Sequence, residues 1–280
     1  MQTIYASHAA IPPFRLLRPQ RAEEASAARA DLGAEALFLA GGVDLVPAMR
    51  AGRRVAALIA LHGIRSLAAI ERDEAALRIG AGLTYAGLAA HIDIRAAMPD
   101  FAAVFAGVAN IRVRHAATLG GNIMTRNPAY DLLPALLALG AKLVFVDRRG
   151  RRETVGAAAT AFPDGLLVEI EIPLARERRF AFERGYKPAL SLGVAVERSG
   201  GRLAGRAAVG CAHARPVVLA LDLGPAADHA ALAARADAVA EDFATRLPAP
   251  LADAAASADY RRTLARVLLA RVLRDLAKPA

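Results

Sequence analysis

Two runs in this sequence carry residues arranged for chemistry: Leu39-Ala-Gly-Gly-Val-Asp-Leu-Val-Pro-Ala-Met-Arg50 and Ala117-Thr-Leu-Gly-Gly-Asn-Ile123. Each places a glycine pair, Gly41-Gly42 and Gly120-Gly121, at a predicted turn. A glycine pair permits positive φ and removes the Cβ atoms that hold a ligand away from backbone N–H groups. Consecutive inward N–H groups make a nest for phosphate oxygens, reinforced where a helix begins just beyond it. Two such loops converging would grip both phosphates of a dinucleotide. Neither run matches G-x-G-x-x-G or G-x-x-x-x-G-K-S/T, so Rossmann and P-loop readings fail on pattern. A glycine pair alone is more often a plain tight turn; the second run is set apart by its company. Thr118 and Asn122 flank Gly120-Gly121 with hydrogen-bonding side chains, and Pro128, Asp131 and Pro134 follow. Asp131 opens an apolar helix, either as a charge favoured by the dipole or as an acceptor for a ligand hydroxyl or N–H.

Other reactive side chains form no constellation. Six histidines (His8, His62, His91, His115, His213 and His229) lack metal-ligand spacing, and only His115 lies close to a glycine run. No carboxylate pair or Ser-His-Asp arrangement supports a hydrolase or a glycosidase. The lone cysteine, Cys211, leaves no internal disulfide, cysteine-ligated zinc or iron–sulfur cluster to this chain alone, and reads as a small buried side chain.

The elements that must position these runs are drawn from a chain of 280 residues, 55% apolar and 22% charged, which is ample for a buried core. The net charge of +9 comes from 33 arginines and 3 lysines spread along the whole length, with 5% aromatics and no tryptophan. That dispersion argues against nucleic acid, whose binders gather basic and aromatic residues on one face. Positive potential would still draw in an anionic cofactor. No apolar run reaches the roughly 18–20 residues of a membrane span, and MQTIYASHAA has no leader pattern. A cytoplasmic protein is expected.

Periodicity predicts a helix from Gln20 to Leu32, a strand over Ala36–Ala40, a short helix over Leu45–Arg50 capped by Asp44, and a strand at 55–59. A strand at Leu77–Gly80 leads to a helix from Thr84 or Tyr85, and a second helix covers Asp100–Ala109. Asn110–Asn127 reads as a loop, and Asp131–Leu139 as a helix. Leu143–Asp147 and Arg151–Val155 form a hairpin, with a further strand over Leu166–Ile172. A charged break at 174–180 precedes two strands, Leu190–Glu197 and Arg202–Gly210. A tail helix capped by Ser257 presents Tyr260, Leu264, Val267, Leu268, Val272 and Leu276 as its apolar stripe.

The run from Val113 to Ile123, with Pro128, Asp131 and Pro134, resembles the second FAD loop of the molybdenum hydroxylase flavoproteins. These are the medium subunits of the xanthine dehydrogenase and carbon monoxide dehydrogenase family. Ala40–Leu45 resembles their first pyrophosphate loop, Ile79–Thr84 the strand and turn between the loops, and Glu169–Pro173 the strand closing the domain. Gly210–Pro216 and Asp253–Arg262 resemble the family's C-terminal domain, so the likeness covers nearly the whole chain in order. Departures are Val43, where the family usually carries a hydroxyl or amide, His115 for asparagine, Ala117 for a frequent glycine, and Ala255 for a common arginine. The family's lysine near Glu183 is also displaced, the nearest basic groups being Arg184 and Lys187.

The resemblance implies an α+β fold: a two-lobed vanillyl-alcohol-oxidase-like (PCMH-type) FAD-binding domain over 1–175, with lobes at about 1–57 and 58–175. A small α+β C-terminal domain over 176–280 follows. Noncovalent FAD would lie extended between the lobes. Ala40, Gly41, Gly42, Val43, Asp44 and Leu45 form the first phosphate loop and Thr118, Leu119, Gly120, Gly121 and Asn122 the second, with Asp131 beside it. Leu167 offers backbone contacts to the flavin ring, Lys187 a positive charge, and Tyr186 either a ring contact or core packing. The implied role is an electron-transfer subunit, with no catalytic side chain and no metal of its own. A large partner subunit carries the molybdopterin cofactor, and a small partner supplies electrons from 2Fe-2S clusters, commonly in a dimer of heterotrimers. Electrons leave to NAD+, oxygen or a quinone. The rival readings are a free-standing FAD-dependent oxidoreductase and a non-catalytic assembly protein that has lost FAD.

Overall fold

The computed structural model describes residues 10–130, 132–184, 189–199, 202–224 and 231–278. Asp131, Tyr186, Lys187, His8 and His229 lie outside the described residues. Near the amino end the chain alternates strand and helix, and this alternation gives a parallel sheet, because parallel neighbours need a crossover between them. Strand β1 (Arg15–Leu17), helix α1 (Ala22–Leu32), strand β2 (Ala36–Leu39), helix α2 (Leu45–Arg50) and strand β3 (Ala57–Ala60) build a three-stranded sheet in the order β1-β3-β2. The sheet ends at Ala60. Helix α1 ties this lobe to the next through buried Ser26, whose hydroxyl donates to the Val146 carbonyl at 2.6 Å and accepts from the Leu166 N–H at 3.1 Å.

The second sheet is antiparallel, in the order β4-β5-β8-β6-β7, from β4 (Ile70–Arg72), β5 (Ala76–Gly80), β6 (Lys142–Val146), β7 (Arg152–Gly156) and β8 (Leu166–Pro173). Between β5 and β6 the described residues form six helices: α3 (Tyr85–Ala90), α4 (Ile92–Ala97), α5 (Pro99–Gly107), α6 (Ile111–Ala116), α7 (Leu119–Thr125) and α8 (Leu132–Ala138). Leu77, Ile79, Leu88, Phe101, Phe105, Leu119, Leu136, Phe145 and Ile170 are all buried in the core they share. The third sheet, β12-β11-β10-β9, uses β9 (Arg179–Arg184), β10 (Ser191–Ser199), β11 (Arg202–Gly210) and β12 (Val217–Leu221). One of its faces meets α8 so closely that Gly193 lies against the Pro134 backbone. The other meets α9 (Leu232–Arg246) and α10 (Ala258–Ala277) through Leu192, Val194, Val196 and Val209. Among the described residues no helix is long and apolar enough to cross a membrane.

Three of the expected elements differ from those observed. Asn110–Asn127 is not a loop but two short helices, α6 and α7, each with its own cap. Asn110 Oδ1 accepts from the Val113 N–H at 3.0 Å, and Thr118 Oγ1 accepts from the Gly121 N–H at 3.1 Å. The charged segment 174–180 is not purely a break, because β9 starts inside it at Arg179. Its charges are absorbed by the fold: Arg178 donates to Glu197 at 2.6 and 2.9 Å, and Arg179 donates to the Leu276 carbonyl at 2.7 Å. The tail-helix stripe is rotated. Tyr260 and Val267 are exposed, and Arg261, Ala265, Leu269, Val272, Leu273 and Leu276 face inward. The inward arginine broke the apolar pattern that periodicity follows.

Candidate functional site

Gly41 sits so close to the second run that a Cβ there would fall 1.8 Å from the Ala116 carbonyl oxygen. The first run leaves the end of β2 and continues through α2, and the second begins just after α6 and enters α7. A side chain at residue 41 would push them apart. Gly42 is left-handed, with φ +69°, so the pair's two glycines serve different needs. From there the chain turns into α2, and among the described residues no backbone carbonyl takes the N–H groups of Gly41, Gly42, Val43 and Asp44.

The second pair is built differently from its expected turn. Gly120 and Gly121 lie in the first turn of α7 with ordinary φ. The N–H groups of Leu119, Gly120, Gly121 and Asn122 donate to Leu83 O, Ala81 O, Thr118 Oγ1 and Thr118 O at 3.0, 2.8, 3.1 and 3.0 Å. The backbone donors of the site therefore come from the first run. The second contributes a surface without Cβ atoms and the Asn122 side chain, whose Oδ1 is buried without a partner among the described residues. A buried acceptor without a donor carries a desolvation penalty that a ligand hydroxyl would remove.

Together these residues line a cleft of about 890 Å³ where the first and second sheets meet, a size ordinary for a cofactor site. Ala40, Gly41, Gly42, Val43, Asp44 and Leu45 form one wall, and Thr118, Gly120, Gly121 and Asn122 the facing one. Leu167 lies at the cleft with Gly165 and Leu166, while Leu119 is fully buried behind it. His115 is exposed on α6, and Val113 takes the place at the wall. Asp131 and Lys187 are outside the described residues. The anticipated Asp44 cap is absent: Asp44 makes no side-chain cap bond, and its carboxylate accepts instead from the Tyr130 hydroxyl across the cleft. Burial, joined by that hydrogen bond, pushes the Tyr130 phenol up to about 12, so it remains a donor at physiological pH.

Sequence reading missed Tyr130, Arg53, Val108 and Arg184 as cleft residues. Only Arg184, noted as a basic group near the displaced family lysine, carried a signal. Among the described residues no group of histidine, cysteine and carboxylate side chains is placed to hold a metal ion.

A parallel sheet and an antiparallel one that clasp an elongated cleft through glycine-bearing loops define a two-lobed nucleotide-cofactor-binding α+β protein. Residues 12–175, more than half of the chain, match the family described as the FAD binding domain in molybdopterin dehydrogenase, and the chain belongs to that family. It is similar to the carbon monoxide dehydrogenase medium chain of Afipia carboxidovorans, 29% identical over 277 residues, covering 93% of this chain and 95% of that one. The medium chain of Hydrogenophaga pseudoflava is 27% identical over 283 residues, covering 94% and 97%. Among solved structures, reconstituted CO dehydrogenase from Oligotropha carboxidovorans superposes with a TM-score of 0.83 at 25% identity, over 96% of this chain and 100% of that one. The relatives are oxidoreductase subunits, and so is this chain.

Proposed function

We propose that this chain is the FAD-carrying medium subunit of a three-subunit molybdenum hydroxylase. In this reading it takes electrons from 2Fe-2S clusters of a small partner and passes them to an external acceptor such as NAD+, oxygen or a quinone. A large partner would hold the molybdopterin cofactor, in a dimer of heterotrimers in the cytoplasm. The observation that carries the reading is the packing of Gly41 against Ala116, which puts the unengaged N–H groups of the first run opposite Asn122 in one cleft. The residues present fit FAD: donors for a diphosphate on one wall, and an orphaned acceptor for a ribose or ribityl hydroxyl on the other.

Bound FAD supplies a ring that accepts and releases two electrons, and the protein sets its geometry and electrostatics. The N–H groups of Gly41 to Asp44 would hold the diphosphate, with Thr118, Gly120 and Gly121 closing over it, Leu119 supporting them from behind and Asn122 orienting a hydroxyl. Leu167, Val108 and Arg184, which also line the cleft, would face the ring. There the guanidinium of Arg184 would favour the anionic reduced form. Asp131 and Lys187 keep the assignments that the resemblance gave them. The division near residue 175 would mark a change of sheet, the apolar core itself running on into β9, β10 and β11 through Phe180, Ala195 and Ala208. Matching a medium chain nearly end to end favours a subunit over a free-standing oxidoreductase.

The test is a visible spectrum of the full chain after incubation with FAD and desalting, beside Gly41→Ala. Flavin bands retained by the parent and lost by the variant are expected. A parent that emerges colourless overturns the reading in favour of an assembly protein. Co-expression with partner subunits should add iron–sulfur absorption.

A further inference from the structure

The walls of the cleft meet in contacts of unlike kind. Gly41 packs on the Ala116 backbone, a contact that opens only if the lobes part. At Asp44 and Tyr130 a hydrogen bond from phenol to carboxylate spans the space. Asp44 is exposed and Tyr130 half-buried, while Asn122 Oδ1 is sealed from solvent. The bond therefore lies towards the outside of the cleft, with the orphaned acceptor beneath. The backbone is held at both ends of the span. Tyr130 lies in a turn where its N–H and that of Ala129 donate to the Asn127 carbonyl and Oδ1, both at 3.0 Å. Arg126 enters that turn at φ +51° and holds its guanidinium 4.0 Å from the centroid of the Phe162 ring. Asp44 stands at the start of α2, its carbonyl accepting from the Ala48 N–H at 3.2 Å. Side chains alone make the span.

We propose that Tyr130 and Asp44 form a latch: their bond breaks to admit FAD, closes again over the first run, and governs how fast the cofactor exchanges rather than how tightly it is held. The inference rests on the FAD reading of the cleft. The bond is of a kind that opens without unfolding anything. Its acceptor is an exposed carboxylate, whose rotamers interchange within nanoseconds, and the Asp44 side chain makes no cap bond on α2 that opening would disturb. Burial first, and then the bond itself, push the Tyr130 phenol up to about 12, so the donor keeps its proton at physiological pH and the latch is not thrown by it. A charge-assisted hydrogen bond of this kind keeps its partners joined for roughly nine-tenths of the time or more. FAD then enters through the open fraction and leaves through the same fraction. The latch slows both rates by one factor, which cancels from their ratio.

Tyr130→Phe supplies the test, since it keeps the ring and deletes the donor. Flavin fluorescence is followed as FAD is mixed with the full chain in a stopped-flow cell, and again as the loaded chain is diluted. In Tyr130→Phe the association and dissociation rates should both rise about tenfold, with Kd changed by less than about twofold. Adding Asp44→Ala to that variant should accelerate neither rate further, because the two side chains act as one unit. Asp44→Asn, which retains an acceptor, should fall between the parent and Tyr130→Phe. Urea unfolding without FAD reads the bond independently: the losses of Tyr130→Phe and Asp44→Ala should be non-additive in the double variant. Faster release with unchanged association would make Tyr130 a direct FAD contact, and additive urea losses would mean that the empty cleft stands open. Either result overturns the latch, as do rates equal in the parent and Tyr130→Phe. A parent that takes up no FAD while the urea losses stay non-additive overturns the FAD reading alone.

Discussion

At the scale of single residues, the cleft works through what is missing as much as through what is present. Gly41 has no side chain because another backbone occupies its place, and Asn122 carries an acceptor with no donor. Val43 lines the first wall with an apolar side chain where a hydroxyl would add one hydrogen bond. Val43→Ser is therefore expected to tighten FAD binding by about 1 kcal/mol, roughly fivefold in Kd, as measured by flavin fluorescence titration. An unchanged or weaker Kd would mean that residue 43 does not face the diphosphate. His213 offers a pH test away from the cleft. It is buried, with Nε2 3.3 Å from the Pro248 carbonyl oxygen. Burial depresses its pKa below 6.5, with Arg262 and Arg261 adding to the effect. The unfolded chain then binds the extra proton first, so this contribution to stability is intact above pH 6.5 and falls as the pH drops towards the depressed value. Urea midpoints between pH 7 and 5 should decline, and His213→Gln should flatten that slope; equal slopes would locate the acid sensitivity elsewhere.

At the scale of elements, what the sequence disclosed depended on whether local chemistry or tertiary packing decided the outcome. Thr84 and Ser257 cap helices through their own hydroxyls, so these starts were legible. So were the hairpin at 142–156 and β10 with β11, where apolar runs flank recognisable turns. The glycine pairs could be found, but not their different geometries, since Gly120-Gly121 in a helical turn is fixed by capping and by contact with Ala81. Helix α9 escaped notice because alanine alternating with charge gives a weak apolar pattern before packing is known. Arg261 on α10 was hidden for a related reason, a charge at a core position. Its guanidinium donates to Asp253 and to the Cys211 carbonyl, both at 2.6 Å, and thereby fixes the loop to which Cys211 belongs at φ +63°. Arg261→Ala should cost about 2–4 kcal/mol, because it leaves a void at a fully buried position and removes the donor that holds the Cys211 carbonyl. Urea unfolding of the full chain measures this, and a loss under about 0.5 kcal/mol, the range of neutral surface changes, would reduce Arg261 to a bystander.

At the scale of the whole molecule, charge and architecture act together. A chain of net charge +9 attracts a cofactor bearing phosphates, although its arginines are scattered. The association rate of FAD should therefore fall several-fold between low salt and roughly 0.5 M salt, where the Debye length is only a few ångströms, while the dissociation rate changes little. Stopped-flow quenching of flavin fluorescence separates the two rates, and an association rate indifferent to salt would show that the field does not reach the cleft. The backbone contact between Gly41 and Ala116 has a wider consequence. Each lobe supplies one wall and neither lobe forms the cleft alone, so cofactor capture reports that two separate pieces of the chain have met. Cut at a surface turn between Ala60 and Ile70 and supplied as two fragments, the chain would become a split reporter whose yellow colour signals reassembly.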